Sequence, residues 1–472
     1  MDFGDLSAWQ WLAMVEHELL LFAAIFFLVG ALDEFLIDIV WAWLRLTGRA
    51  RTRTISRERL AHRSLAGHAA ILIPAWREAK VIGHTIAHAL QAWAQADMTI
   101  YVGVYRNDPE SLSAAASGAN GDPRVRLVVH GEDGPTTKAD CLNRLYLAME
   151  QDERRLGRPV RLVLLQDAED MVDPAALGLV DEAIDRAEFV QLPVLPIPQP
   201  KSRWIGSHYC EEFAEAHGKA MVVRDALGAS LPAAGVGCAF ERNILRQMAR
   251  ERHQEAPFAV ESLTEDYELG MRIRAAGGRS RFVRVRGEDG ALVATRAMFP
   301  ARINQAVRQK ARWVHGIAFQ GWDRLGWGGG IGEYWMRLRD RRGPLSAIVL
   351  FCGYMVILLT GLGMVLEMVL GQVGVERAWL RDPLLMALIW ANLASFAWRA
   401  TMRFAFTARE YGVLEGLRAV LRIPVANVVA IMAGRRALFA YMRTLAGEQA
   451  RWDKTEHDVH PAALAKAEAA KV

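Results

Sequence analysis

Apolar positions along this chain fall into two regimes. Near the start and from about residue 345 onward they form long runs; from about 66 to 330 they come in short bursts between polar, helix-prone stretches. Residues 345–366 carry no charge and are long enough to cross a hydrocarbon core of ~30 Å. A second run, 384–406, meets Arg399 and Arg403, which are expected to snorkel at its end. A third, 19–44, opens with LLLFAAIFFLVGAL and then carries Asp33, Glu34 and Asp38. Its leading flank is acidic (Asp2, Asp5, Glu16, Glu18), so a retained helix is expected rather than a signal peptide. The three acids should face protein or head groups, not lipid. From 412 to 445 the apolar residues are laced with arginine and broken by Pro424. That pattern predicts amphipathic helices at the membrane interface, with a re-entrant or fourth crossing as the alternative. The tail from 458 is expected to be disordered.

Arginine bias sets the orientation. RLTGRARTRTISRERLAHR follows the first run and MRLRDRR precedes the second, whereas the first 18 residues contain no Lys or Arg. The region between is therefore expected on the cytoplasmic side. Three crossings return the end of the chain there too. The expected boundaries are a transmembrane helix in 1–48, a cytoplasmic domain in 49–335, two transmembrane helices in 336–411, interfacial helices and a WDKTEH segment in 412–457, and the tail in 458–472.

Within the central region the bursts HAAILIPA, MTIYVGVY, VRLVVH and VRLVLLQD alternate with EAKVIGHTIAHALQAWAQ and TTKADCLNRLYLAME. Strand-helix alternation predicts an α/β domain with a mostly parallel sheet. Chemistry in such sheets lies beyond the C-terminal strand ends, where PAWREA, RNDPE and QDAED stand. No GxGxxG follows the first strand and there is no Walker motif, which disfavours dehydrogenase and P-loop folds. GVGCAF has two glycines but lies far downstream, outside a strand-to-helix context.

Composition adds a little. At 52% the hydrophobic share fits a membrane protein, and a net charge of +4 without basic-aromatic interleaving argues against nucleic acid. Cys141, Cys210, Cys238 and Cys352 are scattered, with no zinc-ligand spacing.

Three polar clusters carry candidate chemistry. Asp167, Glu169 and Asp170 follow a strand, where carboxylates can share a hard divalent ion with substrate phosphates; alone, they also suit a helix start. Thr264 can cap a helix that begins with Glu265 and Asp266, and an exposed carboxylate there can deprotonate a hydroxyl. Gln309, Arg312 and Trp313 lie three and four residues apart on one helical face. They offer an amide, a fixed cation and a flat ring, although a Trp beside a membrane is also an ordinary anchor.

In this order and spacing, ahead of membrane helices, the clusters resemble the processive family 2 glycosyltransferases, which include cellulose, chitin and hyaluronan synthases. The resemblance covers about 71–313. ILIPAWREAKVI is similar to the opening strand, which implies nucleotide contacts from Pro74 and Glu78. Asn107 and Asp108 stand where the family has an acid near the base. Lys138-Ala-Asp140-Cys-Leu-Asn143 resembles its Lys-Ala-x-x-Leu-Asn element near the donor. One departure is that the usual Asp-x-Asp reads Asp167-x-Glu169 with Asp170 adjacent, so the second metal ligand is either Glu169 or Asp170. DEFLIDIVWAW, QDAED and WDKTEH further resemble the NfrB-type phage-adsorption glycosyltransferases of inner membranes.

The resemblance implies a GT-A fold with a mixed, mostly parallel sheet and inverting transfer of a sugar, an N-acetylhexosamine by the narrower likeness, from a UDP-sugar with Mg2+ or Mn2+. It makes Asp266 the base beside Glu265, and Gln309, Arg312 and Trp313 the acceptor side. It places Lys454 and His457 at the donor diphosphate. The growing glycan, the bilayer and an outer-membrane or periplasmic export component are the expected partners. Transfer to a lipid carrier, or a silent receptor domain, is the alternative.

Overall fold

A computed structural model describes residues 8–370, 382–448 and 460–462. Nine strands are described: β1 (Arg53–Ile55), β2 (His68–Pro74), β3 (Met98–Tyr105), β4 (Val125–His130), β5 (Val160–Leu165), β6 (Phe189–Gln191), β7 (Cys238–Glu241), β8 (Ser280–Phe282) and β9 (Val285–Gly287). Seven form one sheet in the order β4-β3-β2-β5-β7-β6-β8. All neighbours are parallel except β7, which runs antiparallel to both β5 and β6. The four strands expected from the hydrophobic bursts are β2, β3, β4 and β5. β2, β3 and β5 are buried almost throughout, as central parallel strands must be.

Helices cover both faces. Ile71, Ile73, Val102 and Leu164 share one core with the helix Ile82–Ala92. Leu72, Tyr101, Val163 and Phe240 share another with the helix Lys138–Leu156. The mixed sheet with helices on both faces is a GT-A-like α/β fold.

Four helices are long and apolar enough to cross a membrane: Trp9–Leu46, Gly343–Val369, Pro383–Tyr411 and Ile423–Leu445. Three pack side by side. Asn392 donates to the carbonyl of Ala24, Gly353 lies against Phe27, and Thr360 donates to Glu16. Their outer faces leave Leu32, Ile39, Ile357, Trp390 and Phe396 exposed, so the chain is membrane-associated.

The acids of the first helix face protein, as expected. Asp33 and Glu34 bind Arg339 and Arg342, and Asp38 pairs with Lys219 at 2.5 Å. Burying such charges costs several kcal/mol each unless paired, and every one is. Arg399 and Arg403 do not snorkel. They pair with Glu215 at 2.8 Å and Glu211 at 3.3 Å, on the helix His208–Glu215 of the α/β domain. Arg422, in the stretch expected at the membrane interface, is fully buried between Glu211 and Glu415 at 2.7 and 2.6 Å.

Pro424 stands in the first turn of Ile423–Leu445, where its missing N–H costs nothing. This helix stays against the domain. Val429 packs with Tyr209, Ala306 and Val307. Ala433 and Ala437 pack with Ala311, and the Tyr441 hydroxyl donates to Asp323 at 2.9 Å.

Candidate active site

The sheet delivers three groups of residues to one place. β5 ends at Leu165, and Gln166 to Asp170 turn across its tip. Asp167 and Glu169 are partly accessible, whereas Asp170 is 1% exposed. The Asp170 carboxylate turns back and accepts from the Asp167 backbone N–H at 2.7 Å. Its other oxygen is buried without a partner. Burial, then the adjacent Asp167 and Glu169 charges, push its pKa well above the usual carboxylate range.

Lys138 opens the helix Lys138–Leu156, where Thr137 caps by accepting from the Asp140 N–H at 3.1 Å. Its ammonium lies 2.6 Å from Asp167 Oδ1. Burial disfavours that charge, but Asp167, Glu265 and Asp266 together hold the lysine protonated.

Glu265 and Asp266 start the helix Glu265–Arg272. Thr264 occupies the cap position but makes no side-chain cap bond, contrary to expectation. It lies instead against Gly316, where a Cβ would stand 2.4 Å from its hydroxyl. Gln320 accepts from the Leu263 N–H at 3.0 Å. Both contacts come from a π-helical turn, His315–Gln320, a distortion frequent at functional sites. The turn continues the helix Ile303–Val314 and fixes the two acids relative to Arg312. Burial, then the Asp266 charge, raise the Glu265 pKa to about 7. Burial also raises that of Asp266, against the pull of Lys138 and Arg312.

Arg312 therefore faces the carboxylates; its Nε is buried without a hydrogen-bond partner. Gln309 is 9% exposed and its carbonyl oxygen is also unpartnered. Trp313 goes elsewhere: it is half-buried and edge-on to Tyr209, Phe213 and Phe299 at 6.1–6.4 Å.

Other expected donor residues make contacts within the fold. Asp108 caps the helix Pro109–Ala119 and accepts from the Arg77 N–H at 2.5 Å. Asn107 exchanges two hydrogen bonds with the Gly134 backbone. Asp140 accepts from Arg144 at 3.2 Å. Pro74 closes β2, and Glu78 is 4% exposed, its N–H donating to Ser111 at 2.7 Å. Lys454 and His457 lie outside the described residues. Where a disordered tail was expected, His460 and Pro461 are buried. The His460 ring stacks on His84 at 5.8 Å and meets the Asp170 backbone. The chain thus returns to the acidic turn.

Sequence reading missed Gly235. Its φ is +77°, and a Cβ there would lie 2.2 Å from Asp266 Oδ2 and 3.2 Å from Lys138 Nζ. Gln191 supports this loop, accepting from Ala234 N–H and donating to the Val236 carbonyl. The glycines of GVGCAF were the available signal; they serve close approach, not dinucleotide binding.

Among the described residues no group of three or more His, Cys, Asp or Glu is arranged to hold a metal ion. The acidic turn nevertheless suits a divalent cation. It offers the partly accessible carboxylates of Asp167 and Glu169, with Lys138 paired to Asp167 at 2.6 Å.

Residues 66–316 match the model of the family described as "Glycosyltransferase like family 2". The chain is 33% identical over 461 residues to bacteriophage adsorption protein B of Escherichia coli K12, covering 92% of this chain. The same figures hold for bacteriophage N4 adsorption protein B of Escherichia coli O157:H7. The chain spans 61% of the length of these relatives. Among solved structures, a mannosyltransferase of Pyrobaculum calidifontis in complex with GDP-Man and Mn2+ superposes with a TM-score of 0.50. It is 15% identical, and the match covers 88% of this chain and 99% of that one; the likeness is one of fold.

Proposed function

The chain belongs to the family 2 glycosyltransferases, and we propose that it polymerises a sugar, an N-acetylhexosamine, from a UDP-sugar donor at the cytoplasmic face of a bacterial inner membrane. The observation that carries this reading is the Lys138–Asp167 pair beside Asp266, with Arg312 directed at the same acids. There, strand ends, paired carboxylates and cations converge.

Asp167 and Glu169 would hold Mg2+ or Mn2+, with Asp170 positioning them from within. When bound, the ion neutralises diphosphate charge. Asp266 takes the proton of the acceptor hydroxyl as its oxygen attacks the anomeric carbon. The bond to the diphosphate breaks on the opposite face, which inverts the centre. Lys138 and Arg312 offset charge on the departing nucleotide. Glu265, with a pKa near neutrality, tunes the field at Asp266. Gln309 and Arg312 line the acceptor side. Trp313, with its ring edge-on in an aromatic cluster, presents to the acceptor only what that cluster leaves open.

Topologically, 49–335 form the cytoplasmic domain and three helices cross the bilayer. The helices within 412–445 are taken as interfacial; the contacts of Ile423–Leu445 with the domain from Val429 to Tyr441 support that reading. An export component in the envelope would carry the product onward. The adsorption role in the relatives' names supports a second reading, a silent receptor domain. The test is equilibrium binding of a panel of UDP-sugars to the purified chain with Mn2+ or EDTA, followed by product sizing. Metal-dependent binding of one donor and long products support the proposal; no donor binding supports the receptor reading.

A further inference from the structure

Beside the acids lies a cavity of about 1250 Å³, walled by the helix Ile303–Val314 on one side and Ile423–Leu445 on the other. Among the described residues five arginines line it, Arg308, Arg312, Arg435, Arg436 and Arg443, with one carboxylate, Glu448. Its rim is apolar: Met432 is 36% and Phe439 55% exposed. Two polar atoms in the wall have no partner, Nε of Arg312 and Nε2 of His315, the latter in a side chain 4% exposed. Leu263, next to Thr264, also lines it.

These features point to one chemistry. Guanidinium groups bind phosphate through paired N–H donors and do so best where water is excluded. Like charges gathered in one cavity repel, and an anion that enters between Arg312, Arg435 and Arg443 relieves that repulsion. The apolar rim belongs to a helix that packs against the membrane helix Gly343–Leu370, where Asn427 meets Tyr354 and Gly434 meets Ala347. A free phosphate has no use for Met432 and Phe439, whereas a lipid chain does. Basic clusters at a membrane surface recruit anionic head groups for this reason.

We propose that this cavity binds the phosphate head group of a membrane lipid, on the acceptor side of the transferase site. The phosphate sits between Arg312, Arg435 and Arg443, and the acyl or isoprenyl chain leaves over Met432 and Phe439. The placement rests on the transferase reading, since Arg312 joins cavity and carboxylates; the binding itself does not need turnover.

The experiment uses the full chain in phosphatidylcholine nanodiscs and a photoreactive phosphatidate as probe, with cross-linked peptides mapped. Labelling is expected at the Ile423–Leu445 and Ile303–Val314 helices. It should fall about tenfold or more in Arg435→Gln/Arg443→Gln, as loss of charge-assisted contacts requires. Arg435→Lys/Arg443→Lys, which keeps the charge, should retain most of it, separating binding from misfolding. Asp266→Asn is expected to be labelled like the native chain even when transfer is lost, so failure of the catalytic reading is distinguishable. Undiminished labelling of the Gln double variant, or equal labelling by photoreactive phosphatidylcholine, overturns the proposal. Displacement of the probe by inorganic phosphate at matching concentration overturns the lipid source.

Discussion

Gly235→Ala isolates the geometry on which the site depends. The new methyl would stand 2.2 Å from Asp266 Oδ2. Ordinary contact begins near 3.4 Å, so the carboxylate must retreat by at least about 1 Å. Lys138 Nζ, at 3.2 Å, blocks one direction of retreat. A misplacement of ~1 Å can cost ~100-fold in rate, and that is the expected fall in kcat. Alanine at φ +77° also strains the backbone by ~1–2 kcal/mol. Gly121→Ala controls for this term, because Gly121 has φ +74° but nothing within 4 Å of its Cβ. Both variants should lose similar melting temperature; only Gly235→Ala should lose activity. The assay is nucleotide release at saturating donor beside a thermal melt. A Gly235→Ala enzyme within threefold of native kcat, or a Gly121→Ala enzyme equally impaired, refutes the reasoning.

Lys138→Ala strips the cation from Asp167, Glu265 and Asp266; leaving buried carboxylates uncompensated costs roughly 3 kcal/mol. The melting temperature should fall and recover in part with Mn2+, and an unchanged melt in EDTA would contradict this. Glu265 ionises about 7 when folded against 4.5 in the free side chain. A raised pKa means stability present below pH 4.5 and lost as pH rises through 7, by up to ~3 kcal/mol. Melting of Glu265→Gln relative to the native chain should therefore improve from pH 5 to 8; a flat difference contradicts it. Arg422→Ala removes the fully buried cation shared by Glu211 and Glu415, which keep only the more exposed Arg403 and Arg418 at 3.3 and 3.1 Å among the described residues. It should destabilise the chain by roughly 3–5 kcal/mol and expose 423–445 to proteolysis; native-like resistance counts against that helix being pinned to the domain.

The parallel half of the sheet was legible because β2, β3 and β5 are long, apolar and buried on both faces. β6, β7 and β8 are three or four residues each, too short for any period to show, so the mixed sheet was expected from the resemblance but not which strand runs antiparallel. Acids in the first membrane helix announced protein contacts, but their partners on Lys219, Arg339 and Arg342 come from distant segments. Arg399 and Arg403 misled for the same reason: an arginine at a helix end reads as a lipid anchor until a carboxylate is folded against it. Asp108 precedes proline, a helix-cap signal, and in the structure capping occupies its carboxylate. Asp167, Lys138, Asp266 and Arg312 were named from the sequence. Gly235, which lets two of them meet, was not, because close approach is a property of the fold and not of its neighbours in the chain.

The central claim is that Asp266 is the base of a sugar-transfer reaction. The measurement that bears on it most directly is UDP release by the purified native chain and by Asp266→Asn, each with the accepted donor and Mn2+. The account predicts turnover in the native enzyme that disappears in the variant while donor affinity is kept. Equal turnover in both would contradict it.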